Sequence, residues 1–365
     1  MIPMNGFLRE APALRERELA AVDRVLRSGR YILGDEVREF ENQWARAIGT
    51  AHAVGVGNGM DAIEIGLRAL GVGPGDEVIT TPMTAFASVL AILRAGAQPV
   101  LADIDPATAQ MSLESARRCL SPKTKAVLLV HLYGHAHALD QWQAFCDGTA
   151  LSLVEDCAQA HLASWNGVHA GAWGRVGAFS FYPTKNLGAI GDGGALTTGD
   201  EAIAAKARQL RNYGQSERYL HPALGLNSRL DELQAAVLGV RSTVLGDYTA
   251  RRREIARAYR AGIANPAIRL LAAPAQEGSH VYHLFVLCCV ERDRLAAHLS
   301  ARGIESLIHY PIPVHRQAPC TGLPRDREGL AAAERHGRDC LSIPCNPQLT
   351  GAEVASVIQA LNEFR

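Results

Sequence analysis

Residues 51–81 read AHAVGVGNGMDAIEIGLRALGVGPGDEVITT. A short apolar run, AHAVGVG, breaks at a glycine-rich turn, and a helical pattern follows in which Ile63, Leu67 and Leu70 share one side. Gly71 then stands where a left-handed cap ends a helix, and a second apolar run, EVITT, begins. The order is strand, helix, strand. It continues outward through FASVLAILRA, PVLADI, KAVLLVHLYG, LSLVED, GAFSFY and GGALTT. Strands that alternate with helices pair in parallel, because each return must cross a face of the sheet. The stretch therefore predicts a mostly parallel sheet with helices on both faces. Further on, residues 229–261 carry a long helical pattern rich in arginine, and HVYHLFVLCCV, DRLAAHLSARG and the final helix form a smaller α+β unit. The boundary is expected near 240, inside that long helix, giving a large α/β domain over 1–240 and a small α+β domain over 241–365.

A chain of 365 residues has room for both units. Lysine plus arginine equals aspartate plus glutamate at 37 each, which leaves no overall field to draw nucleic acid or an anionic membrane. The opening MIPMNGFLREAPALRERE has no basic start followed by an apolar run, and no stretch approaches the roughly 20 apolar residues that span a bilayer. A soluble, cytoplasmic protein is expected. The 8 cysteines are scattered without a CxxC pair, and Cys288 and Cys289 sit in the apolar run YHLFVLCCV, so reduced core thiols are expected in place of disulfides or a zinc site. His135 and His137 in GHAH lack a third ligand at fitting spacing; no metal is expected there, and the pair is assigned to a solvated loop. His309 and His315 in HYPIPVH read as substrate contacts for the same reason.

Ligands of open α/β sheets gather at the carboxyl ends of the strands. Those ends run here into GNGMD, TPMTAF, EDCAQ and YPTKN. A pyridoxal phosphate site needs a lysine for a Schiff base, a carboxylate on the ring nitrogen, donors for a phosphate dianion and a flat group against the ring. Lys185 lies in the turn-prone stretch YPTKNLGAIGDGG, and Asp156 ends the strand LSLVED. A carboxylate at that place keeps the ring nitrogen protonated and makes the ring an electron sink. Gln159 is placed for the ring oxygen, the backbone N–H groups of Gly59 and Met60 open a helix toward an anion, Ser180 adds a hydroxyl, and Phe86 is a candidate to stack on the ring. Singly, Lys185 reads as a solvated lysine, Asp156 as a helix cap and GNGMDA as a tight turn. Their order and spacing together favour the cofactor. GNGMDA also fits a dinucleotide fingerprint, but that site calls for an acidic residue after the second strand, whereas Asp76 and Glu77 precede it.

The sequence resembles the sugar aminotransferase branch of the aspartate-aminotransferase superfamily, the DegT/DnrJ/EryC/StrS family. The resemblance runs from SGRYILGDEVREFE through VGNGMDAIEIGLRALGVGPGDEVI, VHLYGHAHALD, VEDCAQAH, FSFYPTKNLGAIGDGGA, LRNYGQ, NSRLDELQAAVL and HVYHLFV to IHYPIPVH. It implies a type I pyridoxal-phosphate transferase fold, a homodimer with shared active sites, L-glutamate as amino donor and a nucleotide-linked keto sugar as acceptor. By motif position, Lys185 would hold the cofactor and shuttle the proton, Asp156 would meet the ring nitrogen and Gln159 the ring hydroxyl. Ser180 and the amides of Gly59 and Met60 would take the phosphate, joined by the partner subunit's Asn227, while Tyr182, His309 and Tyr310 would line the sugar side. Relatives that only dehydrate the sugar carry histidine where this chain has Lys185. The stretch YPTKNLGAIGDGGA looks like relatives that aminate the third carbon of a thymidine-diphosphate 6-deoxyhexose; many that act on the fourth carbon read closer to HKTLTTGEGG. Met60, Ala85, Leu162 and Arg175 depart from the usual pattern, which favours a hydroxyl residue at the first two, glycine at the third and aspartate at the fourth.

Overall fold

A computed structural model describes residues 1–365. The large sheet takes β1 (His52–Val56), β2 (Glu77–Thr80), β3 (Gln98–Leu101), β4 (Thr124–Val130), β5 (Ser152–Asp156), β8 (Val176–Ser180) and β9 (Gly194–Thr198), with the small hairpin β6 (Ser164–Trp165) and β7 (Val168–His169) set apart. Helices α1 (Pro12–Ser28) and α2 (Asp35–Ile48) precede it, and α3 (Gly59–Ala69), α4 (Phe86–Arg94), α5 (Leu113–Arg118), α6 (Leu139–Thr149) and α7 (Glu201–Arg211) alternate with or follow its strands. Then come α8 (Glu232–Ser242), α9 (Leu245–Gly262), β10 (Arg269–Leu270), β11 (Phe285–Cys288), α10 (Arg292–Ser300), α11 (Ala331–Asp339), β12 (Cys340–Ile343) and α12 (Gly351–Glu363).

The large sheet runs β1-β9-β8-β5-β4-β2-β3, and β3, β2, β4, β5 and β8 pair in parallel as the alternation predicts. β9 does not follow them. It pairs antiparallel with both β8 and β1, because the link over residues 181–193 carries no helix and so makes no crossover. Both faces are covered. Along β5, Leu153 points into a core shared with Phe40, Trp44, Trp142 and Phe145 of α2 and α6, while Val154 joins Ile63, Leu67 and Ala204 of α3 and α7 on the other side. A strand buried on both sides is apolar throughout, which is why KAVLLV reads as a run with no alternation. α3 ends as expected, with Gly71 at φ +78° just past its last turn.

The long helix expected across the join is interrupted at Thr243 and Val244, so α8 and α9 are separate helices. α9, α10 and α12 pack on the antiparallel sheet β10-β11-β12 around Tyr259, Leu287, Leu299 and Val357. The first residues of the chain lie with this unit: the N–H of Ile2 donates to the Gly303 carbonyl, and Asn346 donates to the carbonyl of Pro3. α8 serves the other unit. Glu232, its first residue, accepts from the N–H groups of Gly34, Glu36 and Val37 and so caps α2 from outside. The motifs SGRYILGDEVREFE and NSRLDELQ meet at that contact.

All eight cysteines are buried and unpaired. No helix is long and apolar enough to cross a membrane. His135 and His137 are not in a solvated loop: His137 is buried with its Nδ1 3.3 Å from that of His131, and half-buried His135 stacks on His280. Their loop is covered because His135 bridges to His280 and the Ala136 N–H donates to the Ser279 carbonyl.

Candidate active site

β5 alternates two acids across the sheet. Glu155 faces the α6 side with no exposure at all, where its oxygens accept from the N–H groups of Gly171, Trp173 and Gly174 and meet His131 Nε2 at 3.0 Å. Asp156, the last residue of the strand, is turned to the opposite face. Its Oδ2 accepts from the Ser88 hydroxyl at 2.7 Å and its Oδ1 from the Ala158 N–H at 3.1 Å, and Ser88 sits 2.8 Å from the hydroxyl of Thr84. Ser88 and Thr84 are missed by the sequence reading; they stand beside Phe86, the partly exposed first residue of α4, and their link to Asp156 crosses 68 positions.

Lys185 follows β8 in a turn closed by its own N–H on the Tyr182 carbonyl at 2.8 Å. It is half-buried, and the loss of water around its amine pushes its pKa below the ordinary lysine value, against the opposing charge of Asp156. Lys185 and Asp156 therefore share one site. Imidazoles surround the lysine and are kept neutral: burial first, and the lysine's charge second, push His309 down to about 4 and His161 to about 3, and hold His283 well below the usual range. His161 Nε2 donates to the Ser180 carbonyl, His309 Nδ1 lies 2.9 Å from the Ser342 hydroxyl, and His283 Nδ1 lies 3.2 Å from Asn186.

Gln159 is buried, its Oε1 accepting from the Tyr133 N–H at 2.6 Å and its Nε2 facing the Tyr310 hydroxyl at 3.3 Å. Burial, with Asp156 nearby, pushes that phenol up to about 12, so it keeps its proton. Tyr133 also donates from its hydroxyl to the His309 carbonyl. One tyrosine thus ties Gln159 to the segment bearing His309 and Tyr310.

At the start of α3, the Asn58 side chain caps the Asp61 N–H at 2.9 Å, while the N–H groups of Gly59 and Met60 stand in the first turn, where no intrahelical acceptor exists. The end of β8 presses on this turn. A Cβ on Gly59 would lie 2.6 Å from the Cβ of Ser180, so only glycine lets the two approach. Helix donors and a serine hydroxyl beside a carboxylate and a lysine fit a phosphorylated pyridine aldehyde at each of its polar ends. Tyr182 and Asn227 are exposed on this chain, and Ser228, next to Asn227, accepts the Gly57 N–H at 2.9 Å. His315 is the exception. Its side chain is buried and turned onto Glu334 at 3.0 Å, which corrects the expectation of a substrate contact, since it presents no face to a ligand.

A sequence profile of the DegT/DnrJ/EryC1/StrS aminotransferase family matches residues 12–362. The chain belongs to that family. The dTDP-3-amino-3,4,6-trideoxy-alpha-D-glucose transaminase of Streptomyces venezuelae is 45% identical to it over 100% of this chain and 96% of the relative. A Geobacillus stearothermophilus protein named a pleiotropic regulatory protein is 39% identical over 100% and 98%. The crystal structure of S. venezuelae DesV in complex with a ketimine intermediate is similar at a TM-score of 0.96 and 44% identity, covering 100% of this chain and 98% of that one. As a member of the family the protein is an aminotransferase that works with pyridoxal phosphate.

The departures from the family pattern acquire places. Met60 packs its side chain against the α3 core, and Ala85 leaves α4 without a side-chain cap. Leu162 holds φ +62°, a left-handed conformation that glycine adopts without strain. Arg175 pairs with Asp200 at the surface.

Proposed function

We propose that the protein moves the amino group of L-glutamate to the third carbon of a dTDP-linked 3-keto-6-deoxyhexose, giving the dTDP-3-amino-3,6-dideoxyhexose and 2-oxoglutarate, as a cytoplasmic homodimer. The observation that carries the reading is Lys185, half-buried with its pKa lowered, sharing a site with Asp156. Pyridoxal phosphate, when bound, supplies the electron sink.

Each residue then has a task. A lowered pKa enlarges the neutral fraction of the Lys185 amine, the form able to take the donor's α-proton and return it. Asp156, with donors from Ser88 and Ala158 on its two oxygens, would hold the ring nitrogen protonated. Gln159 would take the ring oxygen; Ser180 and the amides of Gly59 and Met60 would take the phosphate, with the partner subunit's Asn227. Phe86 would cover the ring. Tyr182, neutral His309 and protonated Tyr310 wall the sugar. Because about 1 Å of misplacement can cost roughly a hundredfold in rate, such walls favour one ring carbon.

The third carbon is supported by the stretch YPTKNLGAIGDGGA and by the 3-amino product in the name of the Streptomyces relative. The name of the Geobacillus relative favours a regulator, a reading that leaves the placement of Lys185 without purpose. The test offers matched 3-keto and 4-keto dTDP-6-deoxyhexoses with glutamate and locates the new amine by NMR. Amination of the 3-keto compound is expected; conversion of the 4-keto compound alone would move the reaction by one carbon.

A further inference from the structure

Arg252, on α9, is a buried cation with no counter-charge in the chain. It is 8% exposed, and Nη1 donates to three backbone carbonyls, those of Tyr282 at 3.2 Å, His283 at 3.4 Å and Cys345 at 2.8 Å. Nε is buried without an acceptor. Burial disfavours its charge, and the only neighbour opposing that is Cys345. A guanidinium held in this way is costly until an anion reaches it.

Its position shows where the anion comes from. Arg252 lines a cavity of about 100 Å³ together with Lys185, Asn186 and Tyr248, and a second of about 90 Å³ together with His283 and His309; the two share Asn5 and Thr184. Arg241, the other arginine of the first cavity, is already paired with Glu18 at 2.6 Å and so is not free for a ligand. Arg252 is left as the arginine that faces both the lysine and the sugar-side histidine without a carboxylate of its own.

We infer that Arg252 seats a carboxylate of the amino donor, an inference that rests on the aminotransferase reading of Lys185. The Nε and Nη2 edge of a guanidinium matches the two oxygens of a carboxylate. The donor's α-carbon must come to Lys185, so its carboxylates must lie in the spaces adjoining the lysine. A nucleotide diphosphate is also an anion, so binding of dTDP must be compared with that of a dicarboxylate.

The test measures binding of glutarate, a dicarboxylate with no amine to transfer, to the cofactor-loaded enzyme by calorimetry, beside binding of dTDP. Arg252→Met should weaken glutarate at least about tenfold, the loss of a charge-assisted pair, and leave dTDP unchanged. Because that variant also frees three carbonyls, Asn5→Asp provides a second arm: it places a fixed carboxylate in both cavities without touching those bonds, and should weaken glutarate likewise. Unchanged glutarate affinity in Asn5→Asp and in folded Arg252→Met would overturn the inference, as would a loss confined to dTDP. Failure of the wild-type enzyme to move an amine from glutamate while it still binds glutarate through Arg252 would instead count against the amino donor of the proposed reaction.

Discussion

Ser88 holds Asp156 by a bond that nothing in their separation of 68 residues announces. Its hydroxyl is oriented in turn by Thr84, one turn earlier, so the carboxylate proposed to meet the ring nitrogen is fixed from two sides. Ser88→Ala should slow the half-reaction with glutamate by about tenfold or more, the usual weight of a hydrogen bond to a charged group, and Ser88→Thr should restore most of it. The check is the rate of cofactor bleaching by glutamate, with the absorbance of the loaded enzyme against pH as a second readout; an unchanged rate and titration in the alanine variant would remove Ser88 from the machinery. Lys185 and Asp156 were nominated together from the sequence by their order and spacing after two strands, and the structure brings them into one site. Ser88, Tyr133 and Arg252 were not legible there, since each is held at the site by a carboxylate or carbonyls far along the chain. The placement of His137 and His315 failed for a related reason. A histidine in a polar-looking segment is buried by what folds over it, and the neighbours of His315 include Glu334 on another helix.

The turn proposed to take the phosphate exists because the start of α3 packs on the end of β8. Gly59→Ala would drive a methyl group to within 2.6 Å of the Ser180 Cβ, so either the helix start or the strand end must move. Overpacking of this kind costs typically about 1–3 kcal/mol, and here it also separates the donors of one ligand. Weaker cofactor binding, by about tenfold in an absorbance titration, is expected together with a lower Tm of the cofactor-free protein; neither change would mean that the two elements are not coupled. Elements were largely legible as types and less so as directions. The alternation of runs gave β1 to β5 and their helices, but GGALTT looks like any other buried strand, and its reversal follows from the missing helix before it. The long arginine-rich pattern hid the break at Thr243, where no glycine or proline marks the end of α8.

Two such sites per assembly would have to borrow from each other if the proposed dimer is correct. Asn227 is exposed here, and so are Tyr182, Tyr213, Tyr219 and Leu224, large side chains that a second copy would cover. Mixing Lys185→Ala chains with Asn227→Ala chains should restore activity, because each heterodimer holds one site with both residues intact. Verified heterodimers no more active than two impaired parents would refute shared sites. The resemblance supplied this expectation; a single chain's sequence pattern cannot, since a patch meant for a partner differs from a core only in what lies against it. The two acids of β5 act on the molecule as a whole in another way. A strand slipped by one residue would swing Asp156 toward His131 and leave the amides around Gly171 to a side chain one methylene too short, while Glu155 entered the ligand side. Such a chain has lost the bonds that close its core as well as its chemistry.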